Sequence, residues 1–241
     1  RIEIPAGVTA LPAEALYCCT ALVEASLPDG LASIGDYAFA GCTKMEHLSI
    51  ASTVVDFNVS SNNGYNFLNG TALKDVYFDA SLTPYVDGTH VYGYKSGSTY
   101  NVGADYKEYR NADNLRIFQF NPQPTEQTEK LTFTFGPNTT CVPGRMFVWN
   151  YNLDTIICLS QPYFGNYCIQ GCDYLKRVEL RSQEAPVAGS TKLSSVSTAP
   201  VPTNVTLVIP GNKDESDYDG IEPWKTLIEN YGWTIETSTE W

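Results

Sequence analysis

The sequence predicts a repeat solenoid of α/β class, and three observations predict it. Pro5-Ala6-Gly7-Val8-Thr9-Ala10-Leu11 superimposes on Pro28-Asp29-Gly30-Leu31-Ala32-Ser33-Ile34 at an offset of 23 residues. The same offset carries Ala15 to Ala38, Leu16 to Phe39, Cys19 to Cys42 and Leu22 to Met45, so apolar character recurs position by position. A unit this short cannot enclose a core alone and removes its apolar side chains from water only by stacking on its neighbours. Each copy is therefore one rung of an elongated body.

Later copies are read by anchoring on the run over 37–45 and the strand-like Leu48-Ser49-Ile50 that follows it. Residues 65–73 with Val76-Tyr77-Phe78 repeat this run, with extra residues entering at 60–64. A weaker copy ends at Leu115 with Phe118 and Phe120 in the strand positions, another ends at Leu153 with Ile156 and Cys158, and a clear one over 167–175 precedes Val178 and Leu180. The rungs are thus expected to end at Leu22, Met45, Leu73, Leu115, Leu153 and Leu175. Within a rung, alternating apolar positions predict a short strand, and the Pro-x-Gly or Gly-Pro-Asn after it predicts a turn. The Tyr-x-Phe segment is expected to be a brief helical or irregular stretch with its ring in the core. Because every rung is traversed in the same direction, equivalent strands must pair in parallel, giving one curved parallel sheet with short helical segments opposite.

Two insertions interrupt the pattern. Residues 81–113 set Tyr85, Tyr92, Tyr94, Tyr100, Tyr106 and Tyr109 among glycines and serines, with His90 near the centre. Residues 121–130 are polar and are expected to join strands at 115–120 and 131–135 as a hairpin. After the last rung, 182–204 reads as a loop, 205–210 as a strand, 224–231 as an amphipathic helix and 233–235 as a final strand. One domain is expected: a solenoid over 1–181 with insertions at 81–113 and 121–130, then a loop and terminal cap over 182–241.

Composition narrows the function. Fifteen basic against 27 acidic residues leave a net charge of −12, which repels phosphate backbones and anionic membrane surfaces, so nucleic acid is not an expected partner. No stretch approaches the roughly 20 apolar residues that a membrane span needs. The chain opens at Arg1 with neither a methionine nor a charged-then-apolar leader, so any export signal is expected to lie outside these residues. Seven cysteines cannot all pair, and Cys19, Cys42 and Cys172, at equivalent repeat positions, are expected to fill a stacked column as small buried thiols.

The run Ile34-Gly35-Asp36-Tyr37-Ala38-Phe39-Ala40-Gly41-Cys42, set between a proline turn and a strand, resembles the repeat of the BspA-like, Treponema-type leucine-rich repeat family of bacterial surface proteins. Residues 163–181, and Leu207-Val208-Ile209-Pro210 followed by Tyr218 and Trp224, are similar to the family as well. The resemblance implies a right-handed coil, export to the exterior or surface of a bacterium, and a role in adhesion or ligand capture. It carries over no catalytic residues. The central rungs lack the Gly-Cys pair and the Tyr-rich insertion stands outside the pattern, so a specific activity is expected there.

Other chemistry is weakly supported. His47 falls in a strand position on the open face of the sheet, without a Ser or Cys motif that would mark a nucleophile. His90, with Asp87 close by, reads as a solvated loop histidine. The cysteines lack a second pair at zinc-ligand spacing. Glu215, Asp217 and Asp219 alternate ahead of Gly220 as calcium donors would, but the twelfth position is Thr226 where a bidentate glutamate is needed. No cofactor is expected, and no enzyme activity. Tyrosines with Ser, Gly and Asn offer rigid amphipathic contact area and adaptable hydrogen bonds, so Tyr85, His90, Tyr92, Tyr94, Tyr100, Tyr106 and Tyr109 are the candidate ligand-binding residues, for a protein or a glycan. The alternatives are a purely structural surface protein or a glycan-acting hydrolase.

Overall fold

A computed structural model describes residues 1–35, 37–58, 68, 71–80, 84–87, 90–94, 129–142, 146–165, 167–189 and 200–241. The strands, in chain order, are β1 (Ile2–Glu3), β2 (Ala10–Leu11), β3 (Glu24–Ser26), β4 (Ser33–Gly35), β5 (His47–Ile50), β6 (Asp56–Asn58), β7 (Asp75–Phe78), β8 (Pro84–Asp87), β9 (His90–Tyr94), β10 (Leu131–Phe135), β11 (Cys141–Val142), β12 (Leu153–Cys158), β13 (Tyr163–Phe164), β14 (Arg177–Leu180), β15 (Thr206–Pro210) and β16 (Thr234–Ser238). One α-helix, α1 (Trp224–Tyr231), and a 3₁₀ turn at Glu215–Asp217 lie between β15 and β16.

Nine strands form one sheet in the order β1-β3-β5-β7-β10-β12-β14-β15-β16, and every pairing in it is parallel. Its register follows the repeat. Ile2, Ala25, Leu48, Val76, Phe133, Ile156, Val178, Leu207 and Ile235 are successive partners across the whole sheet. All of this row except its two ends is buried, which is how a stack of units too small to own a core removes apolar area from water. Leu22, Met45, Leu73, Leu153 and Leu175 belong to the same continuous core. Its centre is aromatic: Phe78 lies 5.8 Å from both Phe133 and Phe135, and Phe147 lies 4.8 Å from Phe133, measured between ring centroids.

Three expectations are corrected. Where short helical segments were expected, the described residues form a three-stranded ladder, β2-β4-β6, a separate two-stranded ladder, β11-β13, and turns. Glu14 and Cys18, Tyr37 and Gly41, and Tyr167 and Gly171 have positive φ four residues apart in their rungs. A left-handed residue twice per turn segment breaks any helical run, and the hydrogen bonds close over three residues or two, as in Tyr17 N to Glu14 O and Thr20 N to Cys18 O. Second, β10 pairs with β7 on one side and β12 on the other, both in parallel. Leu131–Phe135 therefore occupies the rung position expected for Phe118 and Phe120, and with both edges taken it cannot form a hairpin with 115–120. Leu115, Phe118 and Phe120 lie outside the described residues. Third, Cys19 is exposed while Cys42 and Cys172 are buried, each of these two packed against the main chain of a neighbouring rung, at Leu16 O and Phe147 O.

The buried repeat cysteines have a definite role. Cys42 Sγ donates to Leu16 O at 3.2 Å and Cys172 Sγ to Phe147 O at 3.1 Å, so each thiol ties its rung to a main-chain carbonyl of the preceding one. All seven cysteines are free thiols.

Candidate binding face of the sheet

Alternation along each strand sends every second side chain of the large sheet outward. One outward row runs through Glu24, His47, Asp75, Thr132, Thr155 and Arg177, and a second through Ser49, Tyr77, Thr134, Ile157 and Glu179. Between β3 and β7 these rows line a depression of about 360 Å³ bounded by Glu24, Ser26, His47, Ser49, Asp75 and Tyr77. Tyr77 leaves 36% of its surface exposed there, offering an aromatic ring and a hydroxyl beside a lining that mixes polar side chains with Ala25, Leu27 and Leu48.

His47 and Asp75 are register partners, and His47 Nδ1 is hydrogen-bonded to Asp75 Oδ2. His47 Nε2 lies 3.8 Å from Glu46 Oε2. Glu46 in turn accepts from Lys74 Nζ at 2.9 Å, and that hydrogen bond holds its carboxyl below the usual range. His47 thus sits on the open face, as the strand position implied, in a row of polar contacts that links Lys74, Glu46, His47 and Asp75.

Towards the C-terminus the same face carries a charged cluster. Glu179 accepts from Arg177 Nε at 2.6 Å and from Arg181 Nε and Nη2 at 2.9 and 2.6 Å. Burial would raise its carboxyl, but the two guanidinium groups outweigh burial and hold it below the ordinary glutamate value. Arg181 packs over the ring of Trp241, 4.6 Å from its centroid. Beneath these side chains Val208 is only 1% exposed although it occupies an outward position. The face thus carries two depressions, the one between β3 and β7 and one of about 280 Å³ bounded by Arg177, Glu179, Arg181, Val208, Glu236 and Trp241. Neither Glu24, Ser49 and Tyr77 nor the Arg177–Glu179–Arg181 cluster was singled out in the sequence; the alternation of His47 with Ser49 and of Asp75 with Tyr77 was the signal that could have found the first group.

The candidate residues of the insertion divide. Tyr85 lies on β8 and His90, Tyr92 and Tyr94 on β9, which pair antiparallel with Asp87 opposite His90. The backbone of β9 approaches β11, placing this hairpin beside the second ladder. Tyr100, Tyr106 and Tyr109 lie outside the described residues. At the acidic run, Glu215 and Asp217 sit in the 3₁₀ turn, and Asp217 Oδ2 accepts from Asp214 N at 2.9 Å, turning that carboxylate onto its own backbone. Among the described residues no three His, Cys, Asp or Glu side chains converge as a metal ion would require. No helix among them is long and apolar enough to cross a membrane.

Parallel strands stacked in register, a continuous apolar column and an outward strand face define a repeat solenoid. Residues 1–91 match the model of the BspA type leucine-rich repeat region, in six copies. No curated protein matches the chain.

Proposed function

We propose that the chain is an extracellular or cell-surface interaction module, serving adhesion or ligand capture, that holds a protein or glycan with the open sheet face over β3 to β7 and with the Tyr-rich insertion at 81–113. The observation that carries this reading is the depression bounded by Glu24, Ser26, His47, Ser49, Asp75 and Tyr77 on a repeat scaffold of BspA type. Such repeats typically serve binding rather than catalysis. A rigid ring beside hydroxyls and charges suits a ligand recognised by stacking and hydrogen bonds, whether a side chain or a sugar. Tyr85, His90, Tyr92, Tyr94, Tyr100, Tyr106 and Tyr109 would supply a second contact region of the same chemistry. In this reading the coil is right-handed and forms one domain, with 182–241 as its terminal cap; the burial of Trp224, Leu227 and Trp233 supports that role. The net charge of −12 argues against nucleic acid as the ligand.

The test uses an array of glycans and host surface proteins. One variant replaces 81–113 with a short Gly-Ser linker, and a second combines Tyr77→Ala with Ser49→Arg on the sheet face. Loss of array binding in either variant is expected. Undiminished binding by both, with both folded by far-UV circular dichroism, refutes the assignment.

A further inference from the structure

The depression over β3 to β7 has carboxylates on its walls, and among the described residues its lining includes neither lysine nor arginine. Glu24, His47 and Asp75 are successive partners across it, so His47 stands between two acidic side chains on strands about 5 Å to either side. Tyr77 follows Asp75 on the same face of β7, and its register partner on the β5 side is Ser49, a side chain too small to cover the ring. A carboxylate and an uncovered aromatic ring therefore meet one space from one strand, the combination that holds an ammonium or guanidinium group.

The charges around His47 come from every strand packed beside it. On one side lie Glu24 and, from the β1 end, Arg1, whose Nε is 3.9 Å from Glu24 Oε1 and whose Nη2 donates to Ser26 Oγ at 3.1 Å. Glu3 pairs with Ser26 on the same face. On the other side Asp75 bonds the ring, and Glu46, next in the chain, approaches it while held by Lys74. Glu3, Glu24, Glu46 and Asp75 outnumber Arg1 and Lys74 while His47 is neutral; its protonation sets a cation between Glu24 and Asp75. Arg1 already makes at the rim the contact expected of a ligand, as an exposed pair that water screens.

We propose that this depression receives a lysine or arginine side chain of a protein ligand, its cation between Asp75 and the Tyr77 ring with Glu24 opposite, and that protonation of His47 expels it. The inference rests on the binding-face reading above and narrows it. A proton on His47 and the cation of the ligand compete for the same carboxylates, so binding is strongest above the range in which imidazoles titrate and weakens as pH falls through it. The same walls repel an anionic group, and a neutral sugar displaces water from both carboxylates without supplying a counter-charge.

The probe is the peptide acetyl-Gly-Ser-Lys-Ser-Gly-amide, titrated into the isotope-labelled chain and followed through backbone amide shifts. The same peptide with glutamine in place of lysine, and maltohexaose, serve as comparisons. At about pH 7.5 the lysine peptide is expected to move the amides of Glu24, His47, Asp75 and Tyr77 saturably, and Asp75→Asn and Tyr77→Leu each to weaken it at least about fivefold. Glu229→Gln, at an exposed position on α1, should leave it unchanged. Affinity is expected to fall at least about threefold between about pH 7.5 and about pH 5, and His47→Gln to abolish that fall. Unmoved amides over β3 to β7, equal binding of the glutamine peptide, displacement of the lysine peptide by maltohexaose, or an affinity indifferent to pH overturns the proposal. Should Tyr77→Leu lose the parent amide spectrum, Asp75→Asn, which keeps the side-chain shape, decides alone. Loss of array binding in the sheet-face variant, with no response of the parent chain to the lysine peptide, overturns this inference and leaves the binding-face reading standing.

Discussion

Replacing Phe133 by alanine tests both the stacking and the placement of β10 inside the sheet. Phe133 is fully buried in the row that runs from Ile2 to Ile235, and its ring lies 4.8 Å from Phe135, 4.8 Å from Phe147 and 5.8 Å from Phe78. Truncating a buried phenylalanine costs about 3–5 kcal/mol, and a site with three aromatic neighbours in three rungs belongs at the upper end because rigid rings cannot collapse into the void. For a chain of this size that corresponds to a fall of roughly 6–20 °C in thermal midpoint. Thr134, the next residue, faces outward, and Thr134→Ala should stay within about 0.5 kcal/mol of the parent. Urea unfolding followed by far-UV circular dichroism, and in parallel by tryptophan fluorescence, provides the assay. All four tryptophans, Trp149, Trp224, Trp233 and Trp241, follow β10 in the chain. If β10 joins the rungs before and after it, the two probes shift together. A loss below about 1 kcal/mol for Phe133→Ala, or a loss equal to that of Thr134→Ala, refutes the inward register of β10.

Four more outcomes are expected. The ionised Glu179 carboxylate is favoured in the folded state, so its contribution is complete above the unfolded glutamate pKa of about 4.3 and is lost as pH falls through the lower folded value; the stability gap between parent and Glu179→Gln should close below about pH 4.3 in a pH series of urea melts. Gly30→Ala, at φ +95° in open space, should cost about 1–2 kcal/mol from backbone strain alone. Gly171→Ala should cost more in the same melts, because its new Cβ would lie 2.8 Å from Trp149 Cε3. Native protein should show two thiols, Cys18 and Cys19, reacting quickly with a disulfide reagent at pH 8, and five reacting only on unfolding. Burial keeps those five as thiols, with Cys168 pushed up to about 12, and only the thiolate attacks.

Much of the fold was legible because a repeat states its own register. The offset that pairs Leu11 with Ile34 in the sequence is the pairing of β2 with β4, and the shift that carries Leu48 to Val76 is the pairing of β5 with β7. The fourth strand was misplaced for a physical reason: Leu115, Phe118 and Phe120 and Leu131, Phe133 and Phe135 satisfy the same alternation, and a pattern of period two does not say which of two candidates reaches the sheet. The Gly136-Pro137-Asn138 turn after Phe135 was the available discriminator. The turn segments were read as brief helical or irregular stretches, and what decides against a helix is a set of left-handed residues that includes Glu14, Tyr37, Trp149 and Tyr167, whose positive φ no side-chain preference announces.

The candidate site divides in the same way. Sequence alone determined that outward strand positions exist, that the chain is acidic and that tyrosines concentrate in 81–113, because these are matters of count and alternation. Only the tertiary structure decided which outward positions stay open. Residues 28 apart come together as His47 and Asp75, and Trp241, at the far end of the chain, folds over Arg181 beside Glu179. Local pattern sets which way a side chain points along its own strand; what lies above it depends on distant segments meeting, and that is settled by packing.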